Sequence, residues 1–481
     1  MAARPNFIFL IADDHRYESI AANGCSEVRT PTLDALAASG TVFDSAHCQG
    51  SMQPAVCVPS RASLMTGRNI FASSQNPSAD DYCGGPYDGP AFAIPPELPT
   101  FPQRLRENGY HTHAIGKWHN DRASFARSFS SGERLMFGGM SDHDKVPYQP
   151  YDPTGTYPKD AIRFEGGFST DLFLDSAKRF LTGYRSKEPF CLYVAFTAPH
   201  DPRTPPAAFT VDPATVSLPP NYLPIHPFDN GEALVRDEEL EAFPRSPEAI
   251  RQHIADYYGM IAHLDNAIGS LLETVREAGL DRNTVVIYTA DHGLALGQHG
   301  LMGKQNLYEH SLHIPLIVAG PGIPAGHRVP ALVWHGDTRA TVLDLAGIPL
   351  EGESEGASLL PLVRGEATAL RETFAGAYRV SHRMIRDARW KLIRYYEQRH
   401  FPELRGIGEG QPTEGSSVEQ LFDLTADPGE RMNLVVRRDL QPVRSRLSRN
   451  LEAWQRAAGD PMLRSPGYRA IQLEEPEESG A

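Results

Sequence analysis

A chain of 481 residues exceeds one average domain, and with 41% hydrophobic and 22% charged residues it has the make-up of an ordinary globular protein with a large core. A formal net charge of −14 argues against nucleic acid or an anionic membrane surface as a main partner. Five cysteines, odd in number and without a C-x-x-C pair, imply no disulfide framework, and no stretch approaches the apolar length of a membrane span.

In chain order, the first apolar run is Phe7 to Ala12, too short for a secretory segment and followed by no small-residue cleavage site. It predicts a core strand buried on both faces, as in a parallel sheet, and a cytoplasmic protein. The run ends at Asp13-Asp14, at the carboxyl end of the strand, where open α/β sheets carry their ligands. Thr30-Pro31 predicts a helix start and Gly40 its end. A second helix is expected from Thr100 to Asn108 and a short strand from His111 to Ile115, followed by the turn Gly116-Lys117-Trp118-His119. Residues 125–165, rich in Gly, Ser, Asp, Tyr and Pro, predict an irregular insertion near the mouth of a site. A helix from Thr170 to Leu181 leads into a strand from Phe190 to Phe196 and then to Ala198-Pro199-His200-Asp201-Pro202. Residues 203–247 are dense in proline and hold no period, which predicts a long surface excursion. The amphipathic stretch Pro247 to Ala278 predicts a long helix, and a strand from Thr284 to Thr289 runs out at Asp291-His292-Gly293. Leu316 to Ala319 is expected as another strand and Thr338 to Leu345 as another helix.

Strands alternating with helices in this way predict an α/β fold, a large mostly parallel sheet flanked by helices, over residues 1–365. After about residue 365 the texture changes. Met384 to Tyr395 alternates as a hairpin does, and Leu421 to Leu434 reads as a strand, a turn and a helix start. Residues 366–481 are therefore expected to form a smaller α+β subdomain with an antiparallel sheet, its last dozen residues, acidic in character, frayed. There are no internal repeats.

Four of the expected strand ends deliver polar residues: Asp13-Asp14, Lys117 with His119, His200, and Asp291-His292, with Lys304 following in Gly300-Leu-Met-Gly-Lys304. Three carboxylates make a hard, oxygen-rich site suited to Ca²⁺ or Mg²⁺. Taken singly, Asp-Asp is more often a solvated turn, and a lone histidine an ordinary surface or core residue. Their coincidence at strand ends points to one site. The remaining stretch is Pro54-Ala-Val-Cys57-Val-Pro59-Ser-Arg61-Ala-Ser-Leu-Met-Thr66-Gly67-Arg68. A cysteine thiol alone suggests a thiolate nucleophile or a buried core residue.

This stretch resembles the signature of the type I sulfatases, C-x-P-S-R followed by an apolar pair and T-G. The order D-D, C-x-P-S-R, G-K-W-H, A-P-H and D-H-G…G-K is similar to sulfatases of the alkaline-phosphatase superfamily from residue 7 to about 310. Arg389-Trp-Lys-Leu-Ile-Arg394 and Leu421-Phe-Asp-Leu…Asp427-Pro-Gly-Glu…Asn433-Leu resemble that family's second domain. The resemblance implies an alkaline-phosphatase-like fold, oxidation of Cys57 to formylglycine by a formylglycine-generating enzyme, and one divalent cation. It implies Ca²⁺ first, with Mg²⁺ or Mn²⁺ as alternatives, held by Asp13, Asp14, Asp291, His292 and modified Cys57. Where the commonest pattern has Asn, this chain has His292, which resembles the branch containing iduronate 2-sulfatase and related glycan sulfatases. An imidazole is a softer ligand than an amide oxygen. Trp334-His335-Gly336-Asp337 departs from the Asp-Leu-x-Pro-Thr run common at its place, and the sequence offers no reason for it.

The chemistry that follows is governed by charge. A sulfate monoester is anionic, and attack on sulfur develops charge on the attacking and leaving oxygens, so fixed cations are the main requirement. By the resemblance, Arg61 stabilises the nucleophilic oxygen at position 57, and Lys117 and Lys304 grip the sulfate. His200, with Lys304, is the expected acid for the leaving alcohol. His119 is the expected base that lets the sulfated hydrate collapse to aldehyde. The expected substrate is a small sulfated saccharide; aryl or choline sulfate is the alternative, as is a phosphonate or phosphate monoester on the same nucleophile. A non-catalytic binder that keeps Cys57 as a thiol is the reading from another class.

Overall fold

The structure, a computed structural model, describes residues 4–75, 92–232, 234–350, 354–401 and 413–468. Cys83 and the acidic residues expected to fray at the C-terminus lie outside them. The chain begins with β1 (Asn6–Ala12), every residue of which is buried, as its unbroken apolar run requires. The elements that follow are α1 (Pro31–Ser39), β2 (Gly40–His47), β3 (Gly50–Ser51), α2 (Cys57–Thr66), α3 (Phe101–Glu107), β4 (His111–Lys117), α4 (Arg122–Ser128) and β5 (Ser131–Met136). Then come β6 (Pro147–Tyr148), β7 (Arg163–Phe164), α5 (Ser169–Gly183), β8 (Phe190–Ala195), α6 (Pro247–Glu277), β9 (Thr284–Ala290), α7 (Glu309–Leu312), β10 (Leu316–Ala319), β11 (His327–Trp334) and α8 (Asp337–Leu345). The C-terminal part holds α9 (Leu360–Val363), β12 (Phe374–Tyr378), β13 (His382–Arg386), β14 (Trp390–Tyr395), β15 (Val418–Asp423) and α10 (Gln441–Ala458).

The main sheet has eight strands in the order β11-β2-β10-β9-β1-β8-β4-β5. β9, β1, β8, β4 and β5 run parallel, β11 is parallel to β2, and β10 is antiparallel to both its neighbours. This is the mostly parallel α/β sheet that the alternating elements predict. Helices α1, α5 and α6 pack together, as do α2, α3, α4 and α8, so the sheet is sandwiched between two helical layers. Local signals set the helix starts. Thr100, Asp121 and Ser246 each accept a backbone N–H from the first turn of α3, α4 and α6.

Two expectations need correction, and three further elements had no sequence prediction. Residues 125–165 are not wholly irregular: β5 adds an edge strand to the main sheet there, its polar Ser-Gly-Glu-Arg start giving no apolar signal. β2 and β11 are strands where none was expected. β11 carries Pro330, tolerated because it lies at a register shift on an edge strand. The Cys57 stretch is a helix, α2, whose ten residues are all buried, so no polar face marks it. The helix expected to start near residue 434 begins at Gln441.

The second sheet has the order β15-β14-β13-β12-β3. β12 to β15 are antiparallel, and Leu447 and Leu451 of α10 pack on Ala375, Ile385, Leu392 and Leu421. β3 joins its edge in parallel: Ala377 N donates to Gln49 O at 2.9 Å and Arg379 N to Ser51 O at 2.7 Å. The chain just before Cys57 is thereby pinned to the C-terminal sheet.

Candidate active site

Adjacent parallel strands end on the same side of a sheet, so β9, β1, β8 and β4 deliver their C-terminal residues to one place. Asp13, Asp14, Lys117, His119, His200, Asp291, His292 and Lys304 converge there with Cys57 and Arg61, and all ten are buried. Asp14 takes a left-handed backbone (φ 69°), a conformation Asp tolerates better than most residues. It is held by Asp14 N donating to Asp291 Oδ1 at 3.2 Å and Tyr257 Oη donating to Asp14 O at 2.7 Å.

Cys57 is the first residue of α2, so its Sγ sits at the positive end of a buried helix. His292 Nε2 lies 3.1 Å from Sγ, Asp13 Oδ1 3.6 Å, Lys117 Nζ 3.8 Å and Lys304 Nζ 3.9 Å. Around this atom three carboxylates meet three cations. Lys117 pairs with Asp13, Lys304 with Asp14 at 2.8 Å and Arg61 Nε with Asp291 at 2.9 Å. Arg61 Nη1 donates to Lys117 O at 2.7 Å, while its Nη2 is buried without a hydrogen-bond partner among the described residues. Lys117 Nζ also donates to Gly139 O at 2.5 Å, which brings the 125–165 insertion to the site.

The environment separates the titrating groups. Burial, reinforced by Asp291, pushes Asp13 well above the usual carboxylate value. Burial works the same way on Asp14 and Asp291, but Lys304, His200 and His292 outweigh it at Asp14, and His292, Arg61 and Lys117 at Asp291, so both are held low. Burial pushes the Cys57 thiol up. Burial and the nearby Lys117 and Arg61 hold His119 well below its ordinary value, and burial with Lys304 brings His200 to about 4. Burial opposes the charge on Lys304, yet Asp14 holds its ammonium well above the usual value.

The donor set suits a divalent cation. Ligand atoms of Asp13, Cys57, Asp291 and His292 lie within 4.8 Å of one another, and the same holds for Asp13, Asp14, Cys57 and His200. His292 Nδ1 lies 3.0 Å from Gly293 O and 3.2 Å from Asp14 Oδ1, while Nε2 faces Cys57 Sγ at 3.1 Å and Asp291 Oδ1 at 3.7 Å, where its lone pair could reach a cation. The charges fit as well. With a divalent cation holding Asp13 ionised, the three carboxylates and three cations would balance, and the ion's own charge would leave the site fitted to an anionic ligand.

Several residues that build the site escaped the sequence reading. Ser60 Oγ donates to Asp291 O at 2.5 Å and lies 3.2 Å from His335 Nδ1, so the unexplained 334–337 segment backs the helix that carries Cys57. Asp337 accepts from Trp334 N at 2.7 Å and takes both Nη atoms of Arg371 at 2.6 Å. The 203–247 excursion is not merely superficial. Glu238 accepts from Met302 N and Gly303 N, bracing the loop of Lys304, and Asp237 accepts from Gln305 Nε2 at 2.7 Å. Nothing in the spacing of Arg236-Asp237-Glu238 signals this, because the partners lie more than sixty residues away. A cavity of about 590 Å³, lined by Arg16, Tyr17, Asp44, His310 and Arg386 among others, includes none of the ten site residues.

A family model described as Sulfatase matches residues 5–348, and one described as N-sulphoglucosamine sulphohydrolase, C-terminal, matches residues 297–457. The N-acetylglucosamine-6-O-sulfatase of Bacteroides thetaiotaomicron is 26% identical over 529 aligned residues, covering 95% of this chain and 87% of that protein. The choline-sulfatase of Rhizobium meliloti is 27% identical, covering 90% and 82%. A solved structure of a protein in complex with its substrate, D-glucosamine-2-N,6-O-disulfate, has a TM-score of 0.74 at 24% identity, covering 99% of this chain and 100% of that one.

Proposed function

From the premise that this chain belongs to the sulfatase family, the sulfuric ester hydrolases, we propose that its ten converging residues cleave a sulfate monoester on a small saccharide. The observation that carries the reading is the convergence on Cys57 Sγ: two ammonium groups, a carboxylate and an imidazole lie within 4 Å of one buried atom at a helix N-terminus. In this reading Sγ stands where formylglycine oxygens belong. Conversion of Cys57 supplies a hydrated aldehyde, one hydroxyl to attack sulfur and one to release it. Asp13, Asp14, Asp291 and His292 would hold the divalent cation, Ca²⁺ first, whose bound charge polarises the sulfuryl group.

The protein's own groups do the rest. Lys117 and Lys304 bind the sulfate oxygens as point charges, and Arg61, whose Nη2 lies 3.8 Å from Asp13 Oδ1 without a hydrogen bond, stabilises the negative oxygen at position 57. His200, in its imidazolium form, hands a proton to the leaving alcohol, with the Lys304 ammonium beside it as a fixed charge on the developing oxyanion. His119, kept neutral by burial and by Lys117 and Arg61, accepts the proton of the second hydroxyl as sulfate departs. The saccharide class rests on the relative named as an N-acetylglucosamine-6-O-sulfatase.

No helix among the described residues is long and apolar enough to cross a membrane. The four described cysteines are free thiols, which agrees with a reducing compartment, and we propose a cytoplasmic enzyme acting on an imported substrate. The test is a peptide map over Cys57 after co-expression with a formylglycine-generating enzyme, with turnover of p-nitrophenyl sulfate and N-acetylglucosamine 6-sulfate with and without Ca²⁺. Aldehyde at Cys57 and metal-dependent release of sulfate from the sugar are expected. A fully converted enzyme that cleaves phosphonate or phosphate esters far better than any sulfate ester would overturn the reading.

A further inference from the structure

His200 must present one ring nitrogen to the leaving oxygen and hold the other still. Its Nε2 faces the site, 4.0 Å from Asp14 Oδ2, while Nδ1 points away, 2.7 Å from Asp201 O and 3.4 Å from Asp201 Oδ1. The backbone is fixed too, since His143 Nε2 lies 2.9 Å from His200 O. Asp201 is itself buried, and Arg236 grips both its oxygens, Nη1 to Oδ2 at 2.6 Å and Nη2 to Oδ1 at 3.0 Å. The same guanidinium reaches Asp237 Oδ1 at 2.6 Å, and Asp237 Oδ2 takes Gln305 Nε2 at 2.7 Å and lies 4.0 Å from Lys304 Nζ.

We propose that Arg236 and Asp201 are positioning residues for proton delivery. The fork of Arg236 locks Asp201, Asp201 holds the His200 ring so that Nε2 meets the leaving oxygen, and Asp237 ties the same fork to the loop of Lys304. The inference rests on the reading of His200 as the acid. The step it serves requires His200 as the imidazolium, with Nδ1–H on Asp201 and Nε2–H on the leaving oxygen: the S–O bond breaks, the electron pair stays on that oxygen, and the Nε2 proton moves to it, leaving the neutral imidazole that Asp201 continues to hold by Nδ1–H. Arg236 is 44% exposed at the rim of the site. Both its Nη atoms are committed to carboxylates, which favours a role through Asp201 over direct capture of an anionic substrate group.

A bidentate lock matters only when the leaving group needs a proton, so the readout is leaving-group sensitivity. The experiment measures kcat and KM of metal-loaded, converted enzyme on substituted phenyl sulfates from p-nitrophenyl, a good leaving group, to p-methoxyphenyl, a poor one. Asp201→Asn and Arg236→Gln should each lose about tenfold more in kcat on the p-methoxyphenyl ester than on the p-nitrophenyl ester, with KM little changed. His200→Ala should steepen the series in the same sense, and adding Asp201→Asn to it should cost nothing more. Arg236→Gln, at the rim, covers the case in which Asp201→Asn fails to fold. If His200→Ala steepens the series but neither other variant does, this inference falls and the acid assignment stands. A parallel loss across the series, or a raised KM for Arg236→Gln, overturns the inference as well. Should His200→Ala itself leave the slope unchanged, the acid assignment falls and takes the inference with it.

Discussion

Of two charged clusters inside this molecule, the one at the strand ends converges on an atom that can react and the other does not. In the first, Lys117, Lys304, Asp13 and His292 surround Cys57 Sγ. In the second, where the C-terminal sheet meets the main one, Glu309 takes Arg386 at 2.5 Å, Lys391 at 2.8 Å and His47 at 3.0 Å; on the other face of that sheet Arg383 pairs separately with Asp460 at 2.6 Å. Both lie mostly inside the protein, the second slightly less so, with Glu309 15% exposed. The second cluster satisfies itself, cation against carboxylate, and joins the two sheets without enclosing a nucleophile. Buried charge is thus a poor marker of chemistry, and convergence on one atom a better one.

Mutation should pull the reactive cluster and the self-satisfied pairs apart. Cys57→Ala should abolish turnover, by at least about 10³-fold, yet leave the urea midpoint near that of the parent, since it removes one small group from a cluster whose ion pairs persist. Appreciable sulfate release by that variant would contradict the comparison at its strongest point. Arg383→Met should do the reverse. Stranding Asp460 in the interior is expected to cost about 3–5 kcal/mol in equilibrium unfolding, with kcat per folded molecule unchanged.

A smaller effect comes from acid. Burial lowers His15 and His226 to about 4 and His113, His299, His335 and His382 to about 3. Below pH 6.5 the unfolded chain takes up protons that these folded histidines refuse. Stability therefore falls with pH, by about 1.4 kcal/mol per unit for each group once well below 6.5. Glu232, Glu238 and Glu430, pushed up to about 7 by burial, pull the other way, because their folded forms keep protons that the unfolded chain loses above pH 4.5. Six histidines against three glutamates should leave the urea midpoint lower at pH 5.5 than at pH 7; a higher one would show that the buried carboxyls dominate. Least affected should be Arg437→Ala, which removes an exposed pair with Asp439 and should leave the melting temperature where it was.

Particular residues show what was legible in advance. β1, β8, β9 and β10 announce themselves because strands buried on both faces are largely apolar, and Asp13, His200 and Asp291 stand just beyond the runs of β1, β8 and β9; β4 is shorter on apolar residues and ends in Lys117 itself. α2 was hidden by the same burial: with all ten residues inside, Ser60, Arg61 and Ser63 interrupt the apolar pattern on every side of the helix. β5 was hidden because an edge strand can stay polar.

The sequence by itself therefore determined the central parallel strands and the polar residues at their ends, because strand burial and residue chemistry are local properties that the order of residues records; Cys57 and Arg61 were singled out by the family resemblance of their motif. What only the tertiary structure decided is which distant groups support them. Ser60 rests against His335, Arg236 grips Asp201, and Glu238 braces Gly303. Such pairs join segments far apart in the chain, and polar groups buried together leave no period in the sequence. They are chosen by the need of each buried donor or acceptor for a partner, which is met only once the chain has closed around them.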